Sequence, residues 1–129
     1  MTARPVALSS SPRKYRNAPI VVDGERFDSH GEAMRYSALQ LLQRCGEIRY
    51  LRRQVRLPLH AHNAGAALVG EVGVYVADFV YAESRTVNGE QTWQPVIEDF
   101  KGHDTPLSRW KRRHVALEYG HDVRLSRAK

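Results

Sequence analysis

The segment YVADFVYAESRTVNGEQTWQPVIEDFK, residues 75–101, decides the fold. Asn88-Gly89 near its middle is the strongest short hairpin signal in the chain, because these residue types accept the positive φ angles of a tight turn. The signal separates a strongly apolar strand pattern at 67–83 from a second strand at 92–101. We therefore predict two antiparallel strands, of which the first lies inside a sheet because both of its faces are largely apolar.

Further elements are predicted on both sides of this hairpin. Ser29 is the N-cap candidate of a first helix that ends at Gly46, and Thr105 is the N-cap candidate of a second helix that ends at Gly120. The remaining predictions are a small hairpin at Asp23-Gly24, strands at 48–59 and 122–125, a turn at 60–65, and a break near Gly70 or Gly73. The order is αβββαβ, and it predicts an α/β fold with a central mixed sheet flanked by two helices.

Apolar spacing predicts which face each helix buries. In the first helix the residues at i, i+4, i+7 and i+11 are Met34, Ala38, Leu41 and Cys45, with Leu42 beside them. In the second helix the corresponding stripe is Leu107, Trp110, His114 and Leu117. We accordingly interpret Cys45 as a packed helix residue and Trp110 as part of the core rather than as a stacking platform.

Composition and charge indicate a small globular protein whose basic surface is either merely solvated or binds a polyanion. The chain has 129 residues and a formal net charge of +6, which fits one globular domain. Residues 1–19, rich in proline and serine, are predicted to form a flexible basic arm before a single domain at 20–129. No apolar stretch suits a membrane span or a signal peptide, and one cysteine forms no internal disulfide, so we expect a cytoplasmic protein.

Acidic residues interrupt the two strands of the hairpin at matching positions. Asp78 breaks a row of alternating valines, and a carboxylate buried there costs several kcal/mol without a compensating partner. Counting outward from the Asn88-Gly89 turn places Asp78 and Asp99 near the same rung. Two close carboxylates repel, and Mg²⁺ between them would relieve the repulsion. Lys101 would then assist water attack on a phosphodiester, although a structural ion pair to either aspartate is the competing interpretation.

Several other polar residues have both a structural and a functional interpretation. Glu32 is either the acid of a helix capping box or a further metal ligand, and Gln54 either bonds an exposed sheet edge or lines the site. On the second helix Arg109, Arg112 and Arg113 are predicted to share one side, opposite the apolar stripe. With Lys111, this side is either a solvated surface or a clamp for nucleic-acid phosphates.

These residues resemble a known group of enzymes. The pattern Asp78 … Asp99-Phe100-Lys101 resembles the motif of the PD-(D/E)XK nuclease superfamily, whose restriction-endonuclease-like core has the αβββαβ order. The segments FDSHGEAMRY, YVADFVY, VIEDFKG and TPLSRWKRR, in this order, resemble a family of small phage and prophage proteins catalogued as a domain of unknown function within that group. One departure is Ala77, which stands where the superfamily usually has proline.

The resemblance implies a Mg²⁺- or Mn²⁺-dependent DNA endonuclease. Glu32, Asp78 and Asp99 would be its metal-binding acids and Lys101 its catalytic lysine, with Glu98 as a less favoured alternative to Asp99. Analogy with small resolvases of the superfamily points to branched or recombination intermediates as the DNA, and to a homodimer that cuts two strands. Two other functions stay open: a non-catalytic nucleic-acid-binding module with the same fold, and a structural or interaction protein of a phage.

Overall fold

A computed structural model describes residues 19–127, and it has the predicted α/β fold. The predicted basic arm, apart from residue 19, lies outside the described residues. The helices and strands are β1 Ile20–Val22, β2 Glu25–Phe27, α1 His30–Arg44, β3 Ile48–His62, β4 Leu68–Val87, β5 Glu90–Phe100, α2 Pro106–Tyr119 and β6 Val123–Ser126. The small hairpin β1–β2 precedes the αβββαβ elements, as predicted. Within residues 19–127, no helix is long and apolar enough to cross a membrane.

The main sheet is mixed and has the order β3-β4-β5-β6. β3, β4 and β5 are antiparallel neighbours, whereas β6 returns through α2 to lie parallel to β5. The β4–β5 turn contains Asn88 at φ 52° and Gly89 at φ 81°, the left-handed pair that a two-residue hairpin loop requires. Val87 pairs with Glu90 directly across this turn, so the predicted hairpin register is confirmed.

The predicted break in β4 takes the form of bulges within one continuous strand. Pairing with β3 passes from Gly73 to Glu71 and from Gly70 to Leu68, which leaves Val72 and Val69 without partners in the ladder. The prediction that residues 60–65 form a turn is wrong in its first part, because β3 continues to His62 before the chain reverses. The sheet therefore extends further toward this end than sequence patterns indicate.

Two buried clusters lie on opposite faces of the sheet. Val96 belongs to the cluster with Leu39 of α1, and its neighbour Ile97 belongs to the cluster with Val115 of α2. Adjacent residues of a strand point to opposite sides, so each helix covers its own face of β5. Glu98 consequently points toward the α1 side and Asp99 toward the α2 side.

The predicted buried face of α1 is wrong. Met34 and Leu41 are 60% and 54% exposed, and Ala38 and Cys45 are exposed as well. The helix instead buries Glu32, Ala33 and Leu39, with Tyr36 and Leu42 packed against the same cluster. The buried face carries polar side chains that have partners inside the fold, so apolar spacing alone identified the wrong side.

Three of the four residues of the predicted α2 stripe are exposed, whereas His114 is partly buried. Leu107, Trp110 and Leu117 are 60%, 69% and 78% exposed, so the interpretation of Trp110 as core is wrong. The helix faces the sheet with Val115 and Tyr119, and the Tyr119 hydroxyl donates to the Pro58 carbonyl at 2.6 Å. Arg112 lies on the packed side too, where it donates to Asp104 at 2.9 Å.

Candidate active site

The two aspartates of the hairpin meet where the β4–β5 ladder ends. The last backbone pair on this side is Phe79 with Glu98. Beyond it, the Asp78 amide donates to Asp99 Oδ1 at 2.8 Å, and the Phe100 amide donates to Asp78 Oδ2 at 2.9 Å. Each carboxylate thus bonds the backbone of the opposite strand, which fixes both of them at one rung. This is the adjacency that counting from the turn predicts.

Asp99 is the more deeply placed of the two acids. Its residue is 2% exposed, the Tyr75 hydroxyl donates to Oδ2, and the Lys101 Nζ atom lies 3.5 Å from the same oxygen. Burial raises the pKa of Asp99 above its ordinary value, although the Asp78 amide and the Lys101 charge oppose the rise. Lys101 is held in turn by its backbone, since its amide donates to the Ser126 carbonyl of β6 at 2.8 Å.

A glutamine connects the strand acids with the helix acid. The Gln54 Nε2 atom lies 3.1 Å from Asp78 Oδ1 and 3.2 Å from Glu32 Oε2, so one amide group donates to both carboxylates. Gln54 has φ 50°, a left-handed conformation that costs a residue with a side chain free energy. Gln54 thus bonds the acidic cluster from β3, which is an edge strand of the sheet, and its left-handed backbone is strained there.

Glu32 lies at the N-terminus of α1 and its carboxylate belongs to the acidic cluster, whereas its role as a metal ligand stays a prediction. Its amide donates to the Ser29 hydroxyl at 3.1 Å, which caps α1, while its carboxylate points to Gln54. The residue is 4% exposed, and burial followed by the charge of Asp78 raises the pKa of Glu32 to about 7. The Arg53 Nη2 atom lies 3.7 Å away and compensates the charge only in part. The pKa of Asp78 is also raised, first of all by burial.

Glu98 lies on the other face and has its own partners. Arg35 donates to its two carboxylate oxygens at 2.6 and 2.9 Å, the Tyr81 hydroxyl donates at 2.6 Å, and the Ser126 hydroxyl donates at 2.8 Å. These bonds hold the pKa of Glu98 below its ordinary value although the side chain is fully buried. Glu98 is thus a structural ion pair beneath α1, and Asp99 is the acid that joins Asp78.

The basic residues of α2 do not form the single surface that their spacing predicts. Arg112 is paired through two hydrogen bonds with Asp104, at 2.9 and 2.8 Å, and only 12% of its side chain is exposed. Lys111 donates to the Val74 carbonyl at 3.3 Å. Arg109 and Arg113 remain exposed. The prediction that Arg112 shares an open face with them is wrong, because Asp104 holds it against the body of the protein.

Two contacts of the site carry no signal in the sequence. Tyr75 lies in β4 outside the valine row that Asp78 interrupts, and tyrosine is an ordinary strand residue, yet its hydroxyl donates to Asp99. Arg35 sits in α1 sixty-three positions before its partner Glu98. A hydrogen bond between distant segments is visible only after the fold is known.

The carboxylates are of the chemical type that a hard divalent cation binds, although their present arrangement is not that of a metal site. Among residues 19–127, no group of three or more His, Cys, Asp or Glu side chains is arranged as a metal-binding set. Glu32, Asp78 and Asp99 nevertheless supply only oxygen donors, which suit Mg²⁺ or Mn²⁺. Their pKa values are all raised by burial, so their negative charge lacks full compensation inside the protein. A bound cation would provide that compensation.

Comparison with known proteins places the chain in a family. The sequence pattern of the family described as "Protein of unknown function (DUF1064)" matches residues 12–129. The chain belongs to the DUF1064 family. No curated protein and no solved structure matches it. The match to DUF1064 spans all the described elements, and the acidic cluster, Gln54 and Lys101 all lie inside it.

Proposed function

We propose that the protein is a metal-dependent DNA endonuclease of the PD-(D/E)XK type. The observation that carries the proposal is the pair of reciprocal bonds by which Asp78 and Asp99 each bind the opposite strand, with the Lys101 ammonium beside them. Two buried acids at one rung are costly unless hydrogen bonds, a paired cation or a bound ligand compensates their charge. Gln54 extends the pair to Glu32, which would correspond to the helix-borne acid that the resemblance implies.

Asp78, Asp99 and Glu32 are the residues that would hold Mg²⁺ or Mn²⁺. When bound, such a cation supplies Lewis-acid charge to a phosphodiester. Gln54 keeps the Asp78 and Glu32 oxygens turned toward each other, and the amides of Asp78 and Phe100 hold the strand carboxylates in place. These contacts prepare the acids before substrate arrives.

Lys101 would act on the reacting groups themselves. Its ammonium lies 3.5 Å from Asp99 Oδ2 with 20% of its side chain exposed, so it can reach a phosphate next to the acids. There it would orient the attacking water or neutralise the charge that develops on the phosphate oxygens. The DNA backbone would be held by α2 through Arg109, Lys111 and Arg113. Arg112, paired with Asp104 on the packed side of α2, would support the site.

A second candidate is a DNA-binding module without catalysis. Asp99 Oδ2 already takes a bond from Tyr75 and a charge from Lys101, and this saturation favours a structural ion pair over a metal site. In that case the fold and the basic helix bind DNA while the acids only stabilise the sheet. For the endonuclease, we propose the cytoplasm of a bacterial or phage-infected cell as its location, branched or recombination DNA as its substrate and a homodimer as its active form.

Cleavage assays separate the two candidates. Labelled linear duplex, single-stranded and four-way-junction DNA would be incubated with the protein in Mg²⁺, in Mn²⁺ or in EDTA. We expect cutting that needs metal, is abolished in Asp99→Asn and Asp78→Asn, and survives in Asp122→Asn, a matched change at an exposed aspartate. Binding without cutting under every metal condition would establish the non-catalytic module. Equal cutting by wild type and Asp99→Asn would remove the acids from the mechanism.

A further inference from the structure

The outer face of α2 presents an indole to solvent beside the candidate site. Trp110 is 69% exposed, which is unusual for the largest apolar side chain. Two residues further along the same helix, Arg112 points inward, and its positive charge lowers the pKa of Asp99. The inner side of α2 therefore faces the acidic cluster, and its outer side carries Trp110.

Cations flank the exposed indole. Arg113 lies three positions after Trp110, so the two side chains neighbour each other on the helix surface. Arg113 is exposed and has no ion-pair partner among residues 19–127. Arg109 is 57% exposed on its side chain and keeps only a 3.7 Å contact with Asp104, whose carboxylate is already bound by Arg112. The surface around Trp110 thus carries free positive charge.

We propose that Trp110 is a stacking platform for an unpaired base, with Arg109 and Arg113, which are i, i+4 neighbours beside it on the helix, holding the adjoining phosphates. The proposal rests on the proposed function, and it names the substrate class: DNA with single-stranded character, such as a branch, a flap or a free strand. An exposed aromatic ring beside cations is a combination that binds single-stranded DNA. The ring can stack on any base, and the cations pair with the phosphates between nucleotides. Duplex DNA keeps its bases stacked inside and has none to offer.

A second copy of the chain fits this face less well. A symmetric dimer through Trp110 would bring Arg109 and Arg113 of one copy against the same arginines of its partner, and like charges at an interface are repulsive. A polyanion would instead be attracted to both arginines. Charge complementarity therefore selects nucleic acid over self-association as the occupant.

Tryptophan fluorescence tests the contact directly. The chain has two tryptophans, Trp93 and Trp110, so Trp93→Phe leaves Trp110 as the single reporter. Trp93 packs against the guanidinium of Arg49 on β3, away from α2. We expect the emission of Trp93→Phe to be quenched by oligothymidine of about 20 nucleotides in EDTA, and less so by linear duplex.

Affinity measurements give the matched comparison. Trp110→Ala should weaken binding of the oligothymidine roughly 5- to 150-fold, Trp110→Phe should restore most of the affinity, and duplex binding should change little. Leu117→Ala, which removes another exposed apolar side chain of α2, should leave both affinities unchanged. Circular dichroism and thermal midpoints of all variants would show that the fold is intact.

Each result has a distinct meaning. The stacking role is overturned if the oligothymidine binds without quenching the emission, or if Trp110→Ala and Leu117→Ala lose equal affinity for it. Metal-dependent cleavage by the wild-type protein would still support the endonuclease in that case. Quenching without cleavage under any metal supports the platform and overturns catalysis. A sedimentation shift from dimer to monomer in Trp110→Ala, without DNA present, overturns the proposal in favour of a second copy.

Discussion

Glu32→Gln should make the metal-free protein more stable at alkaline pH. Inside the fold, burial and the nearby charge of Asp78 raise the pKa of Glu32 from 4.5 to about 7. A rise of that size corresponds to about 3 kcal/mol between the charged and neutral forms. Glutamine has nearly the same shape, accepts the Gln54 bond through its own oxygen, and carries no charge to be buried.

The sign of the effect follows from the direction of the shift. The folded protein binds the Glu32 proton more tightly than the unfolded chain, so this contribution to stability is complete below about pH 4.5 and is lost as pH rises through about 7. Wild type and Glu32→Gln should therefore unfold at similar denaturant concentrations at about pH 4.5. By about pH 8 the variant should be more stable by as much as about 3 kcal/mol.

Urea unfolding of both proteins in EDTA, at steps from acid to alkaline pH, measures the difference. Because the other titrating groups are common to both chains, their contributions cancel in the difference. A difference that stays constant across the range would refute the reasoning, since it would mean that Glu32 titrates alike in the folded and unfolded states. A variant that becomes less stable at alkaline pH would show that Arg53, 3.7 Å from Glu32, more than compensates the cost of burying the charge.

Three further changes test other parts of the structure. Glu98→Gln should destabilise the protein by about 3 kcal/mol at neutral pH, because it leaves the partly exposed Arg35 without its charge partner. The loss of stability should shrink at acid pH, and a loss independent of pH in urea unfolding would contradict the ion pair. Gly31→Ala would place a methyl group 2.4 Å from the Phe100 ring, so we expect about 1–3 kcal/mol of destabilisation and impaired cleavage; an unchanged thermal midpoint would mean that the ring moves freely. Under the proposed function, Lys101→Met should lower the cleavage rate about 100- to 1,000-fold while calorimetry finds Mg²⁺ bound as before, and full activity would remove the lysine from the mechanism.

The sheet could be predicted because its signals are local. Asn88-Gly89 specifies a turn whose geometry sets the register of both strands, and counting from that turn brings Asp78 to Asp99. The strand limits differ by a few residues, since alternation fades gradually while hydrogen-bonded pairing continues. A register fixed by one tight turn is therefore enough to locate two acids of the candidate site.

The helix faces could not be predicted, because apolar spacing assumes that polar side chains face solvent. α1 buries Glu32, whose carboxylate bonds Gln54, and α2 packs with Arg112, which Asp104 holds. Each of these polar side chains meets a partner from another segment of the chain. Hydrogen bonds and ion pairs with distant segments offset the free-energy cost of burying a polar side chain. The sequence around a helix does not reveal those partners.

Exposed apolar stripes and buried acids occur together in this fold. The interior holds Glu32 of α1 and Asp99 of β5, while the apolar Met34 and Trp110 are exposed on the two helices. Both features cost free energy, which a bound ligand would recover as a gain in stability. A divalent cation at the acids and an unpaired base on Trp110 would supply both gains from a single substrate complex, and stability measured with cation and oligothymidine together should then exceed that with either alone.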